Sequence, residues 1–102
     1  MKYTVHMIAF YEQPVDRTVT VPDEEITPDT DHLLERIFYY GQNDFQPQNC
    51  YSVSVGDVVA LNDDLHMVAP CGFTKITSEQ LDEIKALPQQ DRTLFAYKIS
   101  RP

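Results

Sequence analysis

The chain predicts an α+β domain: one curved antiparallel β-sheet with two helices packed against it. Three observations lead there. Short alternating or β-branched apolar runs occur near the N-terminus and again between residues 51 and 76. Two segments, 27–40 and 77–87, join helix-start signals to apolar residues at helical spacing. The links between consecutive strand-like runs are short, as antiparallel neighbours require. At 102 residues there is room for one core and one domain.

Tyr3 to Phe10 alternates, with Tyr3, Val5, Met7 and Ala9 on one side and Thr4, His6, Ile8 and Phe10 on the other. Apolar groups on both sides at its far end indicate a strand partly covered on both faces. Pro14 follows the break, and Asp16 to Val21 reads as a second strand, stopped by Pro22. Residues 22–31 form an acidic loop into a helix, with Thr27-Pro28 as cap and first helical residue and Thr30 as the alternative cap. Leu33, Leu34, Ile37, Phe38 and Tyr40 supply its apolar stripe, Glu35 and Arg36 face water, and Gly41 is placed to close it.

Residues 42–49 read as a polar loop containing Pro47. Tyr51, Val53 and Val55 alternate with Ser52 and Ser54, as in a strand with one buried face. Gly56-Asp57 allows a bend, because Gly accepts backbone angles closed to other residues and Asp bonds its own chain. Val58 to Leu61 is a short central strand, Asn62-Asp63-Asp64 a three-residue hairpin turn, and Leu65 to Ala69 the return strand. Pro70-Cys71-Gly72 bends the chain before a strand at Phe73 to Ile76. Thr77 with Gln80 makes a capping box, Leu81, Ile84 and Leu87 line one face of the helix, and Pro88 ends it. Leu94 to Ile99 reads as a last strand, with Phe95, Tyr97 and Ile99 sharing a face. The expected order is strand, strand, helix, three strands, helix, strand.

Eight basic and sixteen acidic residues leave a net charge of −8. That argues against direct nucleic-acid binding, which needs clustered Lys and Arg to displace counterions. No run approaches the roughly 18 apolar residues of a membrane span, and the first residues do not form a secretory signal, so the expected compartment is the cytoplasm. Cys50 and Cys71 then read as reduced thiols and not as a disulfide framework. The negative charge is uneven: Asp23, Glu24, Glu25, Asp29 and Asp31 cluster in a stretch without Lys or Arg. Asp29 and Asp31 suit a helix start. Asp23, Glu24 and Glu25 follow Pro22 in a loop where no packing demands charge.

Signs of catalysis are sparse. His6, His32 and His66 lack metal-ligand spacing with each other or with the cysteines, so no metal or cofactor is expected. Ser52 and Ser54 have no nucleophile elbow around them, and Gly56-Asp57 is no phosphate loop. His66 with Asp63, Asp64 or Cys71 makes a small active site only if the fold gathers them. The aromatics are the stronger lead. Phe38-Tyr39-Tyr40 spans about 200° of a helix at roughly 100° per residue, so Tyr39 must emerge away from the core. An exposed Tyr is a frequent interface anchor.

The helix "LLERIFYYGQND", the polar loop, "YSVSVGDVVAL", a turn, a short strand and "GF" resemble the YodL-like small domain over residues 33–76. Leu34, Ile37, Phe38, Asn43, Pro47, Ser52, Ser54, Val55, Asp57, Val58, Val59, Gly72 and Phe73 carry the likeness, and Gly56 departs from the Ser common there. The resemblance implies a context of bacteria, phages and conjugative elements and no established activity. A separate acidic copy would fit an accessory or anti-defence factor that meets host proteins. "VGDVVAL" also resembles PUA-like and ASCH barrels, which bind RNA or nucleotide; the acidity counts against them. The expectation is therefore a non-enzymatic protein-interaction domain, its surface built from Asp23, Glu24, Glu25, Asp29, Asp31 and Tyr39 and its partner basic or itself nucleic-acid-binding. Gly56, Asp57, Gly72 and Phe73 are expected to serve the fold.

Overall fold

The computed structural model describes residues 1–42, 52–70 and 72–99. Cys50, Cys71, Asn43, Pro47 and Tyr51 lie outside them. Strands β1 (Lys2–Met7) and β2 (Val15–Thr20) form an antiparallel pair running from Lys2↔Thr20 to Met7↔Val15. A short 3-10 turn, Asp23–Glu25, leads to helix α1 (Thr30–Tyr40). Strands β3 (Val58–Leu61), β4 (Asp64–Val68) and β5 (Phe73–Ile76) follow, then helices α2 (Ser78–Ala86) and α3 (Gln89–Ile99). The sheet is antiparallel throughout, in the order β2-β1-β3-β4-β5. The α+β class expected from the sequence holds.

Helices cover both faces of the sheet. Val5, Met7, Val19, Val59, Leu61 and Val68 pack with Leu33, Leu34 and Ile37 of α1. On the opposite face Val58 and Met67 join Ile8, Ile76, Leu81 and Ile84, with Ala96 of α3. Successive strand residues point to opposite faces, so the unbroken apolar run Val58-Val59 serves both cores at once. Val53 is buried beside Ile37 and Val59, while Phe38, Val55 and Phe73 pack half-buried at the rim of that cluster.

Local chemistry explains the boundaries. The N-cap of α1 is Asp29, not Thr27 or Thr30; its carboxylate accepts from the N–H of Asp31 (3.0 Å) and His32 (3.3 Å). Gly41 closes α1 at φ −80, so conformation does not demand glycine there; space does. A Cβ on Gly41 would stand 2.4 Å from Val53 Cγ2. The Asn-Asp-Asp hairpin has two turn residues and not three, because Asp64 already pairs with Leu61. Asn62 and Asp63 take positive φ of 51 and 68, the handedness that matches strand twist in a two-residue hairpin. The capping box of α2 is present: Gln80 N–H donates to Thr77 Oγ1 (3.1 Å) and Thr77 N–H to Gln80 Oε1 (2.9 Å).

Two expectations are corrected. Residues 52–57 are not a strand; they run irregularly into a turn closed by Asp57 N–H on the Ser54 carbonyl (3.0 Å), and Ser54 Oγ donates to the Ser52 carbonyl. Residues 94–99 are the second half of α3. Pro88 does end α2, whose cap is Leu87, but its own carbonyl accepts the Asp91 N–H (2.9 Å) and starts the next helix. Among the described residues three α-helices result, with Arg92 and Ala96 of α3 buried one turn apart.

Candidate functional site

Two groups of charged side chains use their charge differently. The first lies where the β1–β2 connection passes between residues 56–57 and α3. Asp57 is 1% exposed. Its Oδ1 accepts from the N–H of Ile8 (2.7 Å) and Ala9 (2.9 Å), and its Oδ2 from Ser54 N–H (2.8 Å). Arg92, 4% exposed, approaches the same connection through its carbonyls. Its Nη1 donates to Ile8 (3.0 Å) and Tyr11 (2.6 Å), its Nη2 to Glu12 (3.2 Å) and its Nε to Leu87 (3.1 Å). Gly56 makes the approach possible: it has φ +99, and a Cβ would sit 3.3 Å from that of Ala9. Burial pushes the Asp57 carboxyl above its usual range, although three backbone N–H bonds and the Arg17 charge pull it back. These groups clamp backbone and present nothing to a ligand. Arg92 had no sequence signal, since its partners lie 80 or more residues earlier in the chain, Leu87 excepted.

The second place is the outer surface of α1. Asp31, Glu35 and Tyr39 recur every fourth residue and so form one stripe along the helix. All three are exposed, Tyr39 to 54%. Tyr39 meets Tyr40 edge-on, with ring centroids 5.1 Å apart. Glu35, Tyr39, Arg36 and Glu25 line a shallow depression. Glu24 is exposed close by, within reach of Tyr40 electrostatically. Among the described residues the side chains of Glu24, Asp31 and Glu35 make no hydrogen bond or ion pair.

The remaining acidic candidates do have structural partners, which corrects the expectation that Asp23 and Glu25 lack one. Asp23 accepts from the Met1 amino group (3.0 Å). Glu25 accepts from the Tyr40 hydroxyl and faces Arg36 Nε at 3.8 Å. That hydrogen bond pushes the Tyr40 hydroxyl up to about 12, with burial and neighbouring acids adding to it. Asp29 is committed to the helix cap and to His32 Nδ1 (3.3 Å). Glu35, read earlier only as a water-facing residue, replaces them as a member of the open surface.

The histidines are dispersed. His6 lies directly across from Asp16, with Nδ1 2.6 Å from Oδ1. His66 is buried opposite Val59 under α1. Burial lowers its imidazole below the usual range, with Lys75 adding to that and Asp64 and Asp31 opposing it. Lys75 and Asp64 pair at 3.4 Å. Cys71, the suggested companion of His66, lies outside the described residues. Among the described residues no three His, Cys, Asp or Glu side chains are grouped to hold a metal, and no helix is long and apolar enough to cross a membrane.

Fold and site together define a small α+β domain with an open sheet, helices on both faces and an acidic, tyrosine-bearing helix surface. No protein-family model matches the chain, and neither a curated protein nor a solved structure matches it. The likeness to YodL-like domains therefore rests on the residues quoted for it. Of these, Ile37, Val58 and Val59 are core and Asp57 is part of the clamp.

Proposed function

We propose that this chain is a non-enzymatic, cytoplasmic protein-interaction domain that docks a basic protein through the outer surface of α1. Under the YodL-like resemblance, its setting is a phage or mobile element and its role that of an accessory or anti-defence factor. The stripe Asp31–Glu35–Tyr39 carries the reading. It places two acids without a bond to the fold in line with an exposed tyrosine, and Glu24 extends the negative surface. Acidic groups in that position steer a basic partner, and an aromatic ring beside them supplies the apolar anchor. In this reading the partner is not nucleic acid itself, because a surface of this sign repels phosphate. The open sheet, whose edge strands β2 and β5 are not paired with each other, lends nothing to the barrel alternative.

The test is comparative capture from host lysate by the wild type and an Asp31→Asn/Glu35→Gln/Tyr39→Ala variant, followed by binding kinetics of the captured protein across a salt series. A basic protein retained by the wild type and lost by the variant is expected. Its association rate should fall as salt rises. Equal capture by both proteins, or an association rate indifferent to salt, removes this surface from the function.

A further inference from the structure

The exposed side of α3 has a pattern that the interaction surface on α1 does not explain. Leu94 and Tyr97 are 60% and 48% exposed, large apolar side chains standing in solvent. They border an open groove with Lys98 and the half-buried Asp91, Leu87 and Phe95, the last two resting with their inner sides on the core. Asp91, Leu94, Phe95 and Lys98 follow the spacing i, i+3, i+4, i+7, which is one stripe of a helix. The stripe has apolar residues at its centre and opposite charges at its two ends. Asp91 and Lys98 are equally far from the midpoint between Leu94 and Phe95, about 5 Å along the axis in each direction.

A stripe of this kind complements itself when reversed. We propose that α3 is the contact element of a symmetric homodimer, in which α3 of a second copy packs antiparallel. The two-fold axis passes between Leu94 and Phe95. Leu94 of each copy then meets Phe95 of the other, and Asp91 of each meets Lys98 of the other. Two-fold pairing of one patch with itself is the commonest way for a soluble chain to form a closed assembly. The choice of a second copy over another protein rests on this charge complementarity. It also fits the overall charge. Two copies at −8 repel across most of their surfaces. On α3 the half-buried Asp91 and the exposed Lys98 are one of each sign, so approach there is not opposed. The contact is small, and a dissociation constant of about micromolar size is expected.

Sedimentation equilibrium across a concentration series tests the proposal, with circular dichroism confirming that each variant is folded. The wild type should pass from monomer to dimer mass. Leu94→Asp, at an exposed position, should weaken the dimer by about tenfold or more. Asp91→Lys and Lys98→Asp should each weaken it, since like charges then face each other, while Asp91→Lys/Lys98→Asp should restore it. That rescue is specific to the antiparallel register. A wild type that stays monomeric up to about 1 mM, a dimer indifferent to Leu94→Asp, or a double variant no tighter than the single ones overturns the proposal.

Discussion

Asp57 and Arg92 are almost wholly buried and bond to the backbone around residues 8–12 from two sides, whereas Glu24, Asp31 and Glu35 stand in water with no bond to the described residues. Both regions are charged, yet their energetics are opposite. A buried charge is tolerated only if hydrogen bonds replace the water it has lost, so its partners become obligatory. An exposed charge keeps its hydration and contributes little to folding. It remains available for a partner. Conversely, the strongest polar chemistry in this molecule is the part least accessible to a substrate.

The largest effects should come from breaking the clamp. Asp57→Ala leaves the buried N–H groups of Ile8 and Ala9 and the part-buried one of Ser54 without an acceptor and should cost on the order of 4 kcal/mol, which urea denaturation would register as a large fall in the midpoint. Arg92→Lys keeps the charge but loses the fork that reaches several carbonyls. A cost of about 2 kcal/mol is expected, by the same measurement.

Glycine substitutions sharpen the contrast between packed and open sites. Gly41→Ala forces a methyl into Val53 and should lower stability by about 1–3 kcal/mol. Gly72→Ala meets no atom within 4 Å and should cost only the strain of φ +86, about 1–2 kcal/mol. Thermal melts of the two variants should show the larger drop for Gly41→Ala.

A smaller effect is expected from pH. His66 has a lowered pKa in the fold, so below its unfolded value of about 6.5 the unfolded chain binds the extra proton first. Stability should therefore fall as the pH drops below about 6.5 and level off beneath the folded pKa. His66→Gln should flatten this part of the profile. Asp57, raised in the fold, acts in the opposite sense at more acid pH: the folded chain takes up its proton first. A urea midpoint that rises between pH 7 and 6 in the wild type would contradict the assignment to His66.

The readable parts of this fold are those decided by neighbours in sequence. Alternation marked β1 and the hairpin strands, the Thr77–Gln80 pair marked the start of α2, and the stripe through Leu33, Leu34 and Ile37 marked α1. The parts that went unread depend on distant partners. Phe95-Ala96-Tyr97-Lys98-Ile99 alternates well enough for a strand, and its helical state goes with Arg92 reaching Ile8, Tyr11 and Glu12. Asp57 read as a bend residue because its acceptor role involves the N–H groups of Ile8 and Ala9, far away in the chain. At the candidate site, exposure of Tyr39 followed from helix geometry alone. The division of the acids into bonded and open ones did not, because Tyr40, Arg36 and the Met1 amine meet Glu25 and Asp23 only after folding.

The central claim, that the clamp holds the fold while the open acids Glu24, Asp31 and Glu35 do not, is tested by urea unfolding of three proteins side by side. These are the wild type, Asp57→Asn and Glu24→Gln/Asp31→Asn/Glu35→Gln. Asp57→Asn turns an acceptor into a donor opposite an N–H and should lose about 1–3 kcal/mol. The triple variant should stay within about 0.5 kcal/mol of the wild type. A triple variant destabilised as much as Asp57→Asn, or an Asp57→Asn protein as stable as the wild type, would contradict the account.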